Sequence, residues 1–234
     1  MTQTEQTHTD LAPETAGFNM REARFNMIEQ QIRTWEVLDP VVLALLDEVP
    51  RENFVASSQA GLAFADVELP IGYGQTMLSP KLEGRILQAL SVKKTDRVLL
   101  VGAGSGYLTA LLASLAAHVY AVEIIPELSE IAKARLQQQN IQNVTLVVGD
   151  GANGYAAEAP YDIIVFTGSL QLRPIAAEKM LNTGGRLFVV TGEMPIMQAN
   201  LTQRISETSF RHDTLFETCL PPLVNAPQTP KFEF

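Results

Sequence analysis

The sequence predicts an α/β fold: a mostly parallel, doubly wound sheet, with a helical extension before it and antiparallel pairing near the C-terminus. Three observations predict it. From residue 97 onward, short runs of β-branched and aliphatic residues alternate with stretches of helical periodicity, the order that specifies parallel strands joined by crossover helices. One such run, RVLLV at 97–101, leads directly into Gly102, Gly104 and Gly106, a strand-to-helix turn that needs residues without Cβ. Finally, 46% of the 234 residues are hydrophobic, enough to fill one large core.

The elements follow in order. Residues 1–17, MTQTEQTHTDLAPETAG, bury too little apolar surface to offset chain entropy, so a disordered tail is expected there. Between Met20 and Trp35, Phe25, Met27, Ile28 and Ile32 recur at helical spacing, and Trp35 is expected as a packing anchor. Asp39-Pro40 supplies an N-cap and a first-turn proline for a second helix over VVLALLDEV, which Pro50 ends. Residues 51–80 show little periodicity but carry Pro70, Gly72, Gly74 and Pro80, the composition of a long functional loop.

After RVLLV come a helix over YLTALLASLAA, a strand over VYAVE, and a helix opened by Pro126 with Leu128, Ile131, Ala132 and Leu136 on one face. The strand VTLVV ends in Gly149-Asp150-Gly151. DIIVFT, a helix around PIAAEKML, and the strand RLFVVT after Gly184-Gly185 complete the alternation, and Ala199 to Leu223 alternates like a pair of strands. The expected organisation is a tail over 1–17, helices and a covering loop over 18–82, and the sheet-and-helix core over 83–234, with 18–234 as one compact unit.

Bulk properties exclude several classes. A net charge of −9 and a pI near 4.9 argue against a broad nucleic-acid-binding face. The single cysteine, Cys219, rules out an intramolecular disulfide and a multi-cysteine zinc site, suits a reducing compartment, and is expected as buried filler in a strand. His8, His118 and His212 are scattered without ligand spacing, so no metal is implied. No apolar run reaches the length of a membrane span and no signal-peptide pattern opens the chain, so a cytoplasmic protein without a membrane partner is expected.

The glycine turn is the main functional signal. Glu123 stands 21 positions after Gly102, at the end of the next strand, where a carboxylate accepts hydrogen bonds from both hydroxyls of a ribose. The spacing G-x-G-x-G followed by Tyr107 departs from the dinucleotide pattern G-x-G-x-x-G, whose third glycine allows close packing beneath a pyrophosphate. S-adenosyl-L-methionine therefore fits better than NAD. Asp150, flanked by glycines at a third strand end, is placed to meet an adenine amine, with Gly151 allowing the ring close to the chain; a turn-capping role is the alternative. Ligands of such sheets bind beyond the carboxyl ends of the strands.

The runs VPRENFV, LPIGYGQT, VGAGSGY, VYAVE, NV before GDG, APYD and GGRL resemble the protein-L-isoaspartate O-methyltransferases, from about Arg21 to Leu223. The resemblance implies a Rossmann-like class I methyltransferase fold and S-adenosyl-L-methionine as methyl donor. The donor would be held by Gly102, Ala103, Gly104, Ser105 and Gly106, by Glu123 at the ribose, and by Asp150 with Gly151 at the adenine. It implies as acceptor the α-carboxylate of an isoaspartyl residue in a damaged protein or peptide, whose ester cyclises to a succinimide in a repair cycle. It also implies a monomer. A carboxylate is ionised near pH 7 and attacks a sulfonium methyl without a general base, so the absence of a candidate base fits.

Three positions depart from the family pattern. Leu78 stands where the family usually has a serine, leaving Ser79 and Thr76 as hydroxyl candidates for orienting the acceptor. Leu100 stands where a glutamate usually precedes the glycine turn, and FTGSL at 166–170 replaces a small, alanine-rich segment. These departures keep two other readings open: a relative that methylates another acceptor, and a binding or regulatory protein that has kept the fold alone.

Overall fold

The computed structural model describes residues 19–228; the tail over 1–17 and His8 lie outside the described residues. The first helix, α1 (Met20–Met27), starts where the Asn19 side chain accepts a hydrogen bond from the Glu22 amide at 3.2 Å. It continues through a π turn over Ile28–Ile32 and a 3-10 turn over Arg33–Trp35, and stops at Glu36 with φ 61°. Met27, Ile28 and Ile32 are buried as expected, but Phe25 is 60% exposed and Trp35 41% exposed. Trp35 is thus not a packing anchor. The ring lies under the Lys81 ammonium, 4.2 Å from its centroid, at the rim of a surface hollow. Asp39 caps α2 (Pro40–Glu48) by accepting from the Val41 amide at 2.8 Å.

The segment read as an irregular loop is largely ordered. It holds 3-10 turns over Arg51–Phe54 and Ser57–Leu62, and a small antiparallel hairpin of β1 (Leu69–Gly72) and β2 (Gln75–Met77). A helix that the sequence reading missed, α3 (Pro80–Leu90), follows, so the expected boundary between 82 and 83 falls inside a helix. The main sheet then runs β3 (Arg97–Val101), β4 (His118–Glu123), β5 (Val144–Val148), β6 (Tyr161–Leu170), β7 (Leu181–Glu193), β8 (Ile196–Arg204) and β9 (Phe210–Thr218). The crossover helices are α4 (Tyr107–Leu115), α5 (Pro126–Gln138) and the short α6 (Ile175–Glu178).

The spatial order is β5-β4-β3-β6-β7-β8-β9, parallel up to β7 and antiparallel across β8 and β9. The chain leaves β3 toward one edge and returns through β6 toward the other, so the switch point lies between β3 and β6. Strand periodicity separates two cores. Val98 and Leu100 face a large cluster shared with the N-terminal helices and α3, whereas Leu99 and Val101 face a second cluster with Ile164, Phe166 and Ala177. The N-terminal helices and α3 therefore share an interior with one face of the sheet. Cys219 lies just past β9 and is exposed, its thiol 3.2 Å from the Pro195 carbonyl, which corrects the expectation of buried filler.

Candidate active site

Three strand ends and the hairpin surround one cavity. β3 delivers Gly102, β4 delivers Glu123, β5 is followed by Asp150 and Gly151, and β1 and β2 close over them with Ile71 and Thr76. Gly102 has φ +90°, and a Cβ there would stand 2.1 Å from the Thr167 hydroxyl, so both backbone conformation and space demand glycine. Thr167 in turn donates to the carbonyl of Val101 or Gly102, at 3.0 and 2.9 Å, tying the end of β6 to the turn. Gly106 serves packing: a Cβ would meet the backbone of Ala132 in α5 at 3.2 Å.

Glu123 is 4% exposed and already held from both sides. One carboxylate oxygen accepts from the Gly104 amide at 2.8 Å and the other from the Ile125 amide at 3.1 Å. Each oxygen keeps acceptor capacity for a further donor. Asp150 accepts from the Ala152 amide at 2.9 Å, the turn-capping bond, and from the Asn225 side chain at 3.1 Å. At Gly151 a Cβ would stand 2.8 Å from a Val101 methyl, so packing on the sheet requires this glycine whatever approaches it from the cavity.

The sequence-predicted residues divide in two. Gly102, Gly104, Glu123, Asp150, Gly151 and Thr76 line the one cavity. Ala103, Ser105 and Gly106 do not; Ser105 is buried, accepting from the Tyr107 amide at 3.3 Å, and with its neighbours shapes the turn from behind. The two hydroxyl candidates are also separated. Thr76 lines the cavity, although its hydroxyl donates at 3.0 Å to Glu68, which lines the hollow beside Trp35 and Lys81, and Ser79 lines that hollow alone. Leu78 is the side chain that lines the cavity at this point, as expected from alternation in an extended segment.

Sequence reasoning missed the fourth wall. Beyond β9 the chain returns to the end of β6: the Ser169 amide donates to the Pro221 carbonyl at 2.9 Å and the Leu223 amide to the Ser169 carbonyl at 3.0 Å. Pro221, Pro222, Leu223 and Val224 thereby line the cavity. A Cβ on Gly168 would stand 2.9 Å from Leu223, which gives the unusual run at 166–170 a physical reason. That run was the only local signal for this wall.

Among the described residues, those lining the cavity include two carboxylates, Glu123 and Asp150, and neither lysine nor arginine. Such a cavity favours a ligand carrying positive charge and disfavours a pyrophosphate. No group of His, Cys, Asp and Glu capable of holding a metal occurs among the described residues.

Comparison with known proteins follows the same line. Residues 22–228 match the family model described as protein-L-isoaspartate(D-aspartate) O-methyltransferase. The chain is 38% identical over 201 residues to the protein-L-isoaspartate O-methyltransferase of Protochlamydia amoebophila, covering 85% of this chain and 95% of that one. It is 35% identical to protein-L-isoaspartate O-methyltransferase 1 of Geotalea uraniireducens, covering 89% and 95%. A solved protein-L-isoaspartate O-methyltransferase superposes with a TM-score of 0.76 at 26% identity, covering 88% of this chain and spanning 66% of its own length. A Plasmodium falciparum structure, described as such a methyltransferase in complex with S-adenosyl-L-homocysteine, superposes with a TM-score of 0.72 over 88% of this chain and 98% of its own; at 19% identity it speaks to the fold.

Proposed function

Because the chain belongs to the protein-L-isoaspartate(D-aspartate) O-methyltransferase family, we propose that the strand-tip cavity is where it methylates the α-carboxylate of isoaspartyl residues in damaged proteins, using S-adenosyl-L-methionine. The protein is a methyltransferase, and isoaspartyl proteins or peptides are its substrates. The observation that carries the site assignment is the meeting of Glu123, Asp150 and the glycine turn in a cavity without a basic residue among its lining side chains.

The residues present fit the donor. Gly102 and Gly104 hold the positive φ of the turn and put bare backbone on the cavity lining, Glu123 offers two oriented acceptors suited to ribose hydroxyls, and Asp150 with Gly151 offers an acceptor beside a bare backbone suited to adenine. When bound, S-adenosyl-L-methionine supplies an electrophilic methyl on a sulfonium. The protein then has three tasks. It holds Glu123 and Asp150 in place before binding, through bonds they already make to backbone amides and to Asn225. It excludes water with Leu78, Ile71 and the returning C-terminal segment, raising the strength of electrostatic contacts inside. It carries on the cavity lining the Thr76 hydroxyl, which orients a carboxylate without protonating it once it turns from Glu68, its partner in the structure. It has no proton to move, since a carboxylate acceptor is ionised near neutral pH.

The proposal further takes the enzyme as a cytoplasmic monomer that binds neither nucleic acid nor membranes. Among the described residues no helix is long and apolar enough to cross a membrane. Sedimentation at micromolar concentration tests the monomer.

Transfer of labelled methyl to an isoaspartyl peptide, with its aspartyl isomer as control, is the test of the activity. Labelling of the isoaspartyl isomer alone is expected. Equal labelling would transfer the assignment to another acceptor, and absent labelling would leave binding without turnover.

A further inference from the structure

The Arg51 guanidinium is bonded to the carbonyl of Leu78, a residue of the cavity lining, and the reaction described above leaves it without a role. Arg51 is 1% exposed and all its nitrogens are engaged. Nε donates to the Ala63 carbonyl at 2.8 Å, one terminal nitrogen donates to the Leu78 carbonyl at 2.5 Å, and the other pairs with the Glu83 carboxylate. The guanidinium carbon also lies 5.0 Å from the centroid of the Tyr107 ring. Tyr107 is the first residue of α4, directly after the glycine turn, and is fully buried. One side chain thus contacts both the backbone of the acceptor-side wall and the ring that follows the cofactor-side turn.

The geometry is specific to arginine. Three acceptors in different directions plus an aromatic face match a planar fork, and a lysine ammonium cannot serve them all. Leu78 lies between the end of β2 and the start of α3, outside both, so the Arg51 bond fixes a carbonyl that neither element holds. A buried ion pair adds little net stability compared with apolar residues of the same volume, which makes a geometric role the better account of its presence. Resting on the functional reading above, we infer that Arg51, braced by Glu83, is a positioning residue: it sets the Leu78 backbone, and with it the acceptor wall, against the glycine turn.

The test compares the full-length protein with Arg51→Lys and Glu83→Gln. In Arg51→Lys, kcat for an isoaspartyl peptide is expected to fall about thirtyfold or more, since misplacement by about 1 Å can cost about a hundredfold. KM and the calorimetric affinity for S-adenosyl-L-methionine should stay within threefold of the parent. Glu83→Gln, which keeps a neutral acceptor for Arg51, should lose less than Arg51→Lys. A merely structural role predicts instead a parallel loss of donor affinity and kcat, and that pattern, or a kcat within threefold of the parent, overturns the inference.

Amide hydrogen exchange separates this inference from the functional reading. Residues 76–79 should exchange at least tenfold faster in Arg51→Lys, with α5 unchanged, whether or not the peptide is the true acceptor. Unchanged exchange at 76–79 overturns the positioning role. A parent enzyme inactive on the peptide overturns only the reaction. If Arg51→Lys fails to fold, the same exchange comparison is made on Glu83→Gln.

Discussion

Glu123 receives two backbone amides on its carboxylate, so the side chain expected to read a ribose is preorganised rather than recruited on binding. Removing it as Glu123→Ala leaves the Gly104 and Ile125 amides without this acceptor and takes away both ligand-facing oxygens. Charged hydrogen bonds contribute roughly 1.5–3 kcal/mol each, so with two lost, affinity for S-adenosyl-L-methionine should fall at least about a hundredfold by calorimetry. A Kd within threefold of the parent would remove Glu123 from the donor site. Positions 76 and 79 make a second, paired prediction. Thr76→Val removes the hydroxyl of a cavity-lining residue and should lower methyl transfer about tenfold, the scale of one hydrogen bond made in the transition state. Ser79→Ala touches a side chain directed to the hollow on the other side, and transfer should stay within threefold. The reverse ranking would show that the hydroxyl has been relocated to Ser79 after all. Glu68 sharpens the point, because its carboxylate accepts the Thr76 hydrogen bond and so competes with an anionic acceptor for that donor. Glu68→Gln should therefore lower the acceptor KM, measured with the same peptide.

At the scale of elements, what was legible in the sequence was local. RVLLV, VYAVE and VTLVV are short apolar runs bounded by glycine, proline or a cap, and each became the strand expected, as did the helices after Tyr107 and Pro126. The helix α3 escaped because its buried side is not a plain apolar stripe. Glu83 and Gly84 interrupt Leu82, Ile86, Leu87 and Leu90, and both are explained only by partners far along the chain. Glu83 pairs with Arg51, and Gly84 approaches Val37, where a Cβ would come within 3.3 Å. The same holds at the site. The glycine turn and Glu123 announce themselves by spacing, whereas the wall around Leu223 and the Asn225–Asp150 contact join residues more than 50 positions apart, and beyond the run at 166–170 leave no local pattern.

Glu83 also gives α3 a pH signature. Burial pushes its carboxyl up to about 7 from an ordinary 4.5, the attraction of Arg51 notwithstanding. A carboxyl raised in the folded state favours folding below its unfolded value and loses that contribution as pH rises through the folded one. The stability of the parent relative to Glu83→Gln should therefore decline between about pH 4.5 and 7 and then level off. The other charged or titratable groups around the cluster, Arg51, Tyr107, Arg24 and Glu52, are common to both proteins and cancel in the difference. Urea midpoints at pH 5 and pH 7.5 measure it, and an equal difference at both would mean that Glu83 titrates as an exposed carboxyl does.

At the scale of the whole molecule, the N-terminal helices and the sheet share one apolar cluster: Met27, Ile32, Leu46 and Phe54 belong with Ile86, Leu100, Leu111 and Phe188. Nothing in that packing lets residues before β3 melt while the sheet survives, and cooperative unfolding of a single unit is expected. Trp35 makes this measurable. It is the one tryptophan of the chain, it lies in the N-terminal extension, and it stands at a different hollow from the donor cavity. Its fluorescence therefore reports the extension, while far-ultraviolet circular dichroism reports the helices and sheet together. The two melting curves should coincide. A donor present at a hundred times its Kd stabilises the folded state by about 2.7 kcal/mol, which for a chain of this size moves Tm by about 5–10 °C. Both probes should move together by that amount, because a ligand at the strand tips can raise the melting of Trp35 only if extension and core unfold as one. A tryptophan transition that stays put while the dichroism transition rises would divide the chain into two independently unfolding parts.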